Sequence, residues 1–187
     1  MKKIDTFGLE PDHEKYYGGT IYAEHESQLL HVGHQTSLGA SDTVRSTKIF
    51  ERMALSHGVA FQGYHGDNGI FTAQQFQSHL QSQNQTLKLS GVGPHHKNRV
   101  AERAIGLVVG SARTMMLHAA LHWPEVADSQ LWPMALFYSV HLWNITPRLD
   151  SGVSPLEVFT GCKQEFDADA RTLHVWGCPA YVLDPVL

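Results

Sequence analysis

Residues 20–34 carry the stretch Thr20-Ile21-Tyr22-Ala23-Glu24, then Glu26-Ser27-Gln28, then Leu29-Leu30-His31-Val32-Gly33-His34. Two β-branched and aromatic runs divided by a short polar turn read as a hairpin. A hairpin this early argues against an all-parallel sheet. Before it, Lys2 to Phe7 reads as a short strand. After it, Ser41 is placed as N-cap of a helix with Val44, Ile49, Phe50 and Met53 on its apolar side, ending near Gly58. Val59 to His65 reads as a further strand, closed by the turn Asp67-Asn68-Gly69. Thr72 is placed as the cap of a helix through Phe76 and Leu80, and Leu87 to Val92 as another strand.

The clearest periodicity follows. Val100, Ala101, Ala104, Ile105, Val108, Val109, Ala112, Met115, Met116 and Ala119 hold helical spacing for several turns. Val126 to Trp143 reads as another helix, ended by Pro147; Ser154-Pro155 opens a short one by N-cap and first-turn proline. Val175 to Leu183 reads as strand and turn. The order of elements is that of an α/β layer arrangement with a mixed sheet, helices covering its faces.

Composition agrees with a globular domain. The chain has 187 residues, 42% apolar, 17% charged and 10% aromatic, which argues against disorder, a collagen-like repeat or a coiled coil. Two cysteines, Cys162 and Cys178, exclude a disulfide framework and a four-cysteine zinc site, and fit a reducing compartment. No charged segment precedes an apolar one at the start, so no secretory signal is expected. Ser129 to Pro147 lacks Asp, Glu, Lys and Arg, yet Gln130, Pro133, Ser139, His141 and Asn144 make it a buried helix rather than a membrane span.

Net charge is −4, unevenly spread. Residues 88–113 carry Lys88, Lys97, Arg99, Arg103 and Arg113 against Glu102 alone, while residues 1–27 and 114–187 are acidic. One basic segment in an acidic chain suits local phosphate contact; a solvated helix start is the plainer reading.

Three acids sit where such a sheet would gather them: Asp5 at the end of the first strand, Asp67 after the strand ending at His65, and Glu102 in the first turn of the long helix. Clustered carboxylates repel unless a cation joins them, and two hard divalent ions on oxygen ligands activate a nucleophile and steady the leaving oxygen of a phosphodiester. Each acid also has a structural reading. Asp67 belongs to a turn-forming triplet, Glu102 suits a helix N-terminus, and Asp5 lies near a terminus.

Tyr64-His65-Gly66-Asp67-Asn68-Gly69 followed by Asn98-Arg99-Val100-Ala101-Glu102-Arg103 resembles the second and third acidic motifs of retroviral-type integrases, and Asp5-Thr6-Phe7-Gly8 is similar to the first. Leu142-Trp143-Asn144, then residues 154–161 (SPLEVFTG), then residues 175–182 (VWGCPAYV) resemble the region after the catalytic core in copia-type LTR retrotransposon polyproteins. The resemblance implies an RNase H-like fold, a mixed five-stranded sheet flanked by helices, with residues 1–122 as catalytic core and residues 123–187 as a helical C-terminal extension. It implies Asp5, Asp67 and Glu102 as catalytic, metal-binding acids for two Mg2+ or Mn2+ ions. Lys97, Asn98, Arg99 and Arg103 become DNA contacts.

By the same resemblance the reaction is attack of an element's 3′-hydroxyl on target DNA, by multimers on paired ends, in the nucleus or within a cytoplasmic particle, with no membrane partner. Arg99 stands where the family's third motif has glycine, and 34 residues separate Asp67 from Glu102. A second reading, a DNA-binding or assembly module without turnover, draws on these departures; the three retained acids favour the first. The chain is expected to be a polyprotein fragment.

Overall fold

The computed structural model describes residues 16–90, 99–125, 127–164 and 170–180. Strands β1 (Gly18–Ala23) and β2 (Leu30–Gln35) form the hairpin, antiparallel with Gly18 opposite Gln35 and Ala23 opposite Leu30. Glu24 closes its turn by accepting from the backbone N–H groups of Glu26 at 3.1 Å and Ser27 at 2.6 Å. Next come α1 (Ala40–Ser56), β3 (Gly63–Gly66), α2 (Gln74–Ser82) and β4 (Thr86–Leu89), with β3 parallel to β4. The long helix α3 (Arg99–His122), α4 (Trp132–Ile145) and α5 (Pro155–Thr160) complete the described elements.

A mixed α/β arrangement is therefore present, and the described residues do not by themselves make up the five-stranded sheet expected. The described strands make two separate two-stranded sheets, β1–β2 and β3–β4, and the expected strand Lys2–Phe7 lies outside the described residues. Residues 175–180 form no strand either, because the chain turns at Trp176–Gly177 and the Cys178 N–H closes on the Val175 carbonyl at 3.1 Å. β3 begins at Gly63 rather than Val59, whose N–H is taken by the Ala54 carbonyl at 3.0 Å as α1 ends.

The hairpin is covered on both faces, in register with its period of two. Ile21, Ala23, Leu30 and Val32 join Ala104, Val108 and Ala112 of α3 and Ala135, Leu136 and Val140 of α4 in one cluster. Tyr22 and Leu29 face the other way, onto Phe50 and Ala54 of α1 and Phe159 of α5. A third cluster joins Val44 of α1 to Phe76 and Leu80 of α2, with Tyr64 and Phe71 against it.

α1 docks through hydroxyls as well as hydrocarbon. Tyr22 OH lies 3.1 Å from Ser46 Oγ and 2.9 Å from Thr47 Oγ1, and Gln35 Nε2 donates to Thr43 Oγ1 at 3.2 Å. Gly33 is required beneath it, since a Cβ there would lie 1.7 Å from Ser46 Oγ. This face differs from the apolar stripe expected, because Ile49 is exposed and Thr43, Ser46 and Thr47 are buried. The N-cap is Gly39, not Ser41, because Asp42 reaches back to the Ser37 N–H at 2.8 Å and draws the preceding chain into the first turn.

α4 is fastened to the hairpin by two polar side chains near its C-terminus. Asn144 Oδ1 accepts from the Leu30 N–H at 2.9 Å while Asn144 Nδ2 donates to the Leu30 carbonyl at 2.8 Å. Trp143 Nε1 donates to the Gln28 carbonyl at 2.9 Å. α4 starts later than Val126 because Asp128 caps a 3-10 turn, Ser129–Leu131, by accepting from the Gln130 N–H at 2.8 Å. α5 opens with the Ser154–Glu157 capping box and Pro155 in its first turn, as the sequence leads one to expect.

Two outcomes test this packing. Asn144→Ala leaves both Leu30 backbone groups without partners and is expected to lower unfolding free energy by about 2–3 kcal/mol, read by denaturant titration. His31 stacks on Phe50 with ring centroids 4.9 Å apart, and burial, helped by the His34 charge, pushes its imidazole down from 6.5 to about 4. The folded state thus binds fewer protons than the unfolded state between those values. Stability is full above about pH 6.5 and falls by about 3 kcal/mol as pH drops to about 4. In His31→Phe, denaturant midpoints between pH 4 and 7 lose that part of their slope.

Candidate active site

β3 ends at Gly66, which is buried and leaves no room for a side chain: a Cβ would lie 2.7 Å from the Phe71 ring. Asp67 follows at once, exposed, with Oδ1 accepting from the Gly69 N–H at 3.0 Å. Thr72 secures the turn from the other side, its hydroxyl donating to the Gly69 carbonyl at 2.8 Å. That is why Thr72 does not cap α2, whose N-cap is Ala73 without a side-chain bond. One oxygen of Asp67 is thus taken up by the turn, and Oδ2 has no hydrogen-bond partner among the described residues.

Glu102 stands in the first turn of α3, exposed, with Arg103 exposed beside it. The expected edge of the apolar stripe lies elsewhere. Ile105 is 45% exposed and Val100 and Val109 are exposed too, while the buried line runs through Ala104, Val108, Ala112 and Ala119. Small side chains on that line admit the close approach of α4, so the larger apolar residues turn outward. Val100–His122 is the one helix among the described residues long and apolar enough, by length and composition, to cross a membrane; it carries Glu102, Arg103 and Arg113.

Asp5, Lys97 and Asn98 lie outside the described residues, as does the side chain of Arg99, which opens α3. Among the described residues no group of three or more His, Cys, Asp or Glu is disposed to hold a metal. Asp67, just after β3, and Glu102, in the first turn of α3, are each exposed carboxylates, oxygen donors of the kind a hard divalent cation takes. A cavity of about 740 Å³ between α3 and α4, walled by Met116, Trp132, Leu136 and Trp176, includes none of the expected site residues.

Behind β3 lies a buried polar group that periodicity did not pick out. Glu51 of α1 accepts from Tyr64 OH at 3.0 Å through Oε1, and its Oε2 lies 3.0 Å from His79 Nε2 of α2. The Glu51 and His79 side chains are only 12% and 7% exposed. Burial, and then the Glu51 charge, push the Tyr64 phenol up, so it remains a donor. The sequence signal was a glutamate four residues after Thr47 on the face that also carries Phe50 and Ala54.

No family model matches this sequence, and no curated protein matches it. Solved structures do match its fold. The catalytic core domain of BIV integrase superposes with a TM-score of 0.55 at 15% identity, covering 82% of this chain and 88% of that one. The dimeric HTLV-2 integrase catalytic core domain in complex with magnesium gives 0.52 at 17%, covering 75% and 82%. A chain of the simian T-cell lymphotropic virus intasome gives 0.54 at 15%, covering 74% of this chain but only 46% of that one. Over about three quarters of its length, this chain has the mixed α/β fold of retroviral integrase catalytic cores.

Proposed function

We propose that this chain is the catalytic core of a copia-type LTR retrotransposon integrase, joining the 3′ ends of element DNA to target DNA. The observation that carries the reading is Asp67, held in a hydrogen-bonded turn after β3 with one carboxylate oxygen unbonded among the described residues, in a chain with the fold of integrase cores. The finer points rest on the motifs: Asp5 as third acid, residues 123–187 as a copia-type extension of a core at 1–122, and action in the nucleus on paired DNA ends as a multimer.

Asp67 and Glu102, with Asp5, would hold Mg2+ or Mn2+. When bound, two such ions activate the attacking hydroxyl and stabilise the leaving oxygen. The protein's own part is positioning. The Asp67 turn and the α3 backbone hold the acids still, and Arg103, free of ion pairs among the described residues, meets phosphate oxygens beside Glu102. The N-terminal end of α3 adds its positive dipole to that anion-binding edge. Lys97 and Asn98, which precede that helix in sequence, and Arg99, which opens it, are proposed DNA contacts. Arg99, in the family's glycine position, is the observation that favours the second reading, an assembly or DNA-binding module without turnover.

The test is Mn2+-dependent joining of a labelled DNA end, carrying the element's terminus, into plasmid. Asp67→Asn and Glu102→Gln are each expected to lower joining at least ~100-fold. Thermal midpoints should stay unchanged, because both side chains are exposed. Joining that persists in Glu102→Gln removes the catalytic role. Absence of joining by the wild-type chain, with DNA binding retained, favours the module without turnover.

A further inference from the structure

We infer that Tyr64 and Glu51 are positioning residues for Asp67, acting through the end of β3; the inference rests on the reading of Asp67 as a metal-holding acid. β3 is four residues long, and its described ladder is with β4 along one edge. A strand so short has little to set its tilt against the helices behind it. Its side-chain anchor is Tyr64, three residues before Asp67, whose hydroxyl reaches Glu51 on α1. Glu51 is in turn held by His79 on α2, so one carboxylate ties the strand to both helices of the layer.

The ring of Tyr64 adds direction. It meets Phe76 edge-on at 6.2 Å and Phe61 at 6.0 Å, so it has one way to lie. Side chains alternate along a strand, so Tyr64 faces the helices while His65 is exposed. His65 Nε2 lies 3.3 Å from Ser90 Oγ, which ties the strand to the residue after β4. From there Gly66 passes under Phe71 into the Asp67 turn. A shift at Tyr64 is therefore delivered to Asp67 across two residues, one of which has no space to move. Packing alone would be served as well by apolar side chains at all three positions. A buried carboxylate costs desolvation, and here its two bonds fix a geometry.

The test separates positioning from stability. Tyr64→Phe removes one hydroxyl and keeps the ring. Tyr22→Phe is its control, since that hydroxyl also bonds α1 but through Ser46 and Thr47 rather than Glu51, and the substitution keeps the ring that meets Tyr64 edge-on at 6.5 Å. Mn2+ affinity is measured from the free-ion electron paramagnetic resonance signal, beside the thermal midpoint, for wild type, both phenylalanine variants and Asp67→Asn. Asp67→Asn and Tyr64→Phe are each expected to weaken Mn2+ binding by about tenfold. Tyr22→Phe is expected to lower the midpoint and leave Mn2+ affinity alone. Weakening by Asp67→Asn with no effect of Tyr64→Phe overturns the positioning role, as does equal weakening by Tyr22→Phe. No effect of Asp67→Asn itself overturns the reading of the site, and the positioning role with it.

Discussion

A two-stranded ribbon of six residues a side has no stability of its own in water, so β1 and β2 persist because both faces are buried. That double cover is the constraint on which the other elements depend. Ile21, Ala23, Leu30 and Val32 require the α3–α4 pair on one side, and Tyr22 and Leu29 require α1 and α5 on the other. Elements more than a hundred residues apart in sequence are brought together by one hairpin. Its edge is closed in kind, with the amide of Asn144 taking both backbone groups of Leu30, as a neighbouring strand would.

Several residues after α3 act as fasteners. Trp143 and Asn144 clamp α4 to the hairpin, and Ser154, Pro155 and Glu157 cap α5. Glu157 also accepts from the Gln164 N–H at 3.0 Å, holding the chain beyond the helix. Arg148 lies over the Trp143 ring at 3.6 Å, adding a cation to the same corner. Trp176 packs on the cluster beneath α3 and α4. In this chain each of them meets a backbone or packing demand of the same docking surface.

The two described acids have the opposite character. Asp67 and Glu102 are exposed, each at the end of an element, and Asp67 has one carboxylate oxygen bonded into its own turn. The metal-holding role proposed for them asks for such a fixed origin and an open oxygen. Behind Asp67 lie Gly66 beneath Phe71 and the Tyr64–Glu51–His79 chain, to which the proposal assigns its fixity.

Local pattern determined most of the elements. The hairpin, the long helix, the Asp-Asn-Gly turn and the Ser154 capping box are properties of neighbouring residues, and periodicity or a side chain's reach to its own backbone decides them. The positions of Asp67 and Glu102 at those element ends were legible in the same way, while Asp5, Lys97 and Asn98 lie outside the described residues. Which apolar residues of α3 are buried was not legible. Ala104 and Val108 lie inside while Ile105 lies outside because α4 comes close only over small side chains. The polar face of α1 and the Glu51 anchor were hidden for the same reason: a serine, threonine or glutamate reads as exposed until a partner from another element accepts its bond. Hydrogen bonds between distant segments have no periodicity, and only the assembled fold decides them.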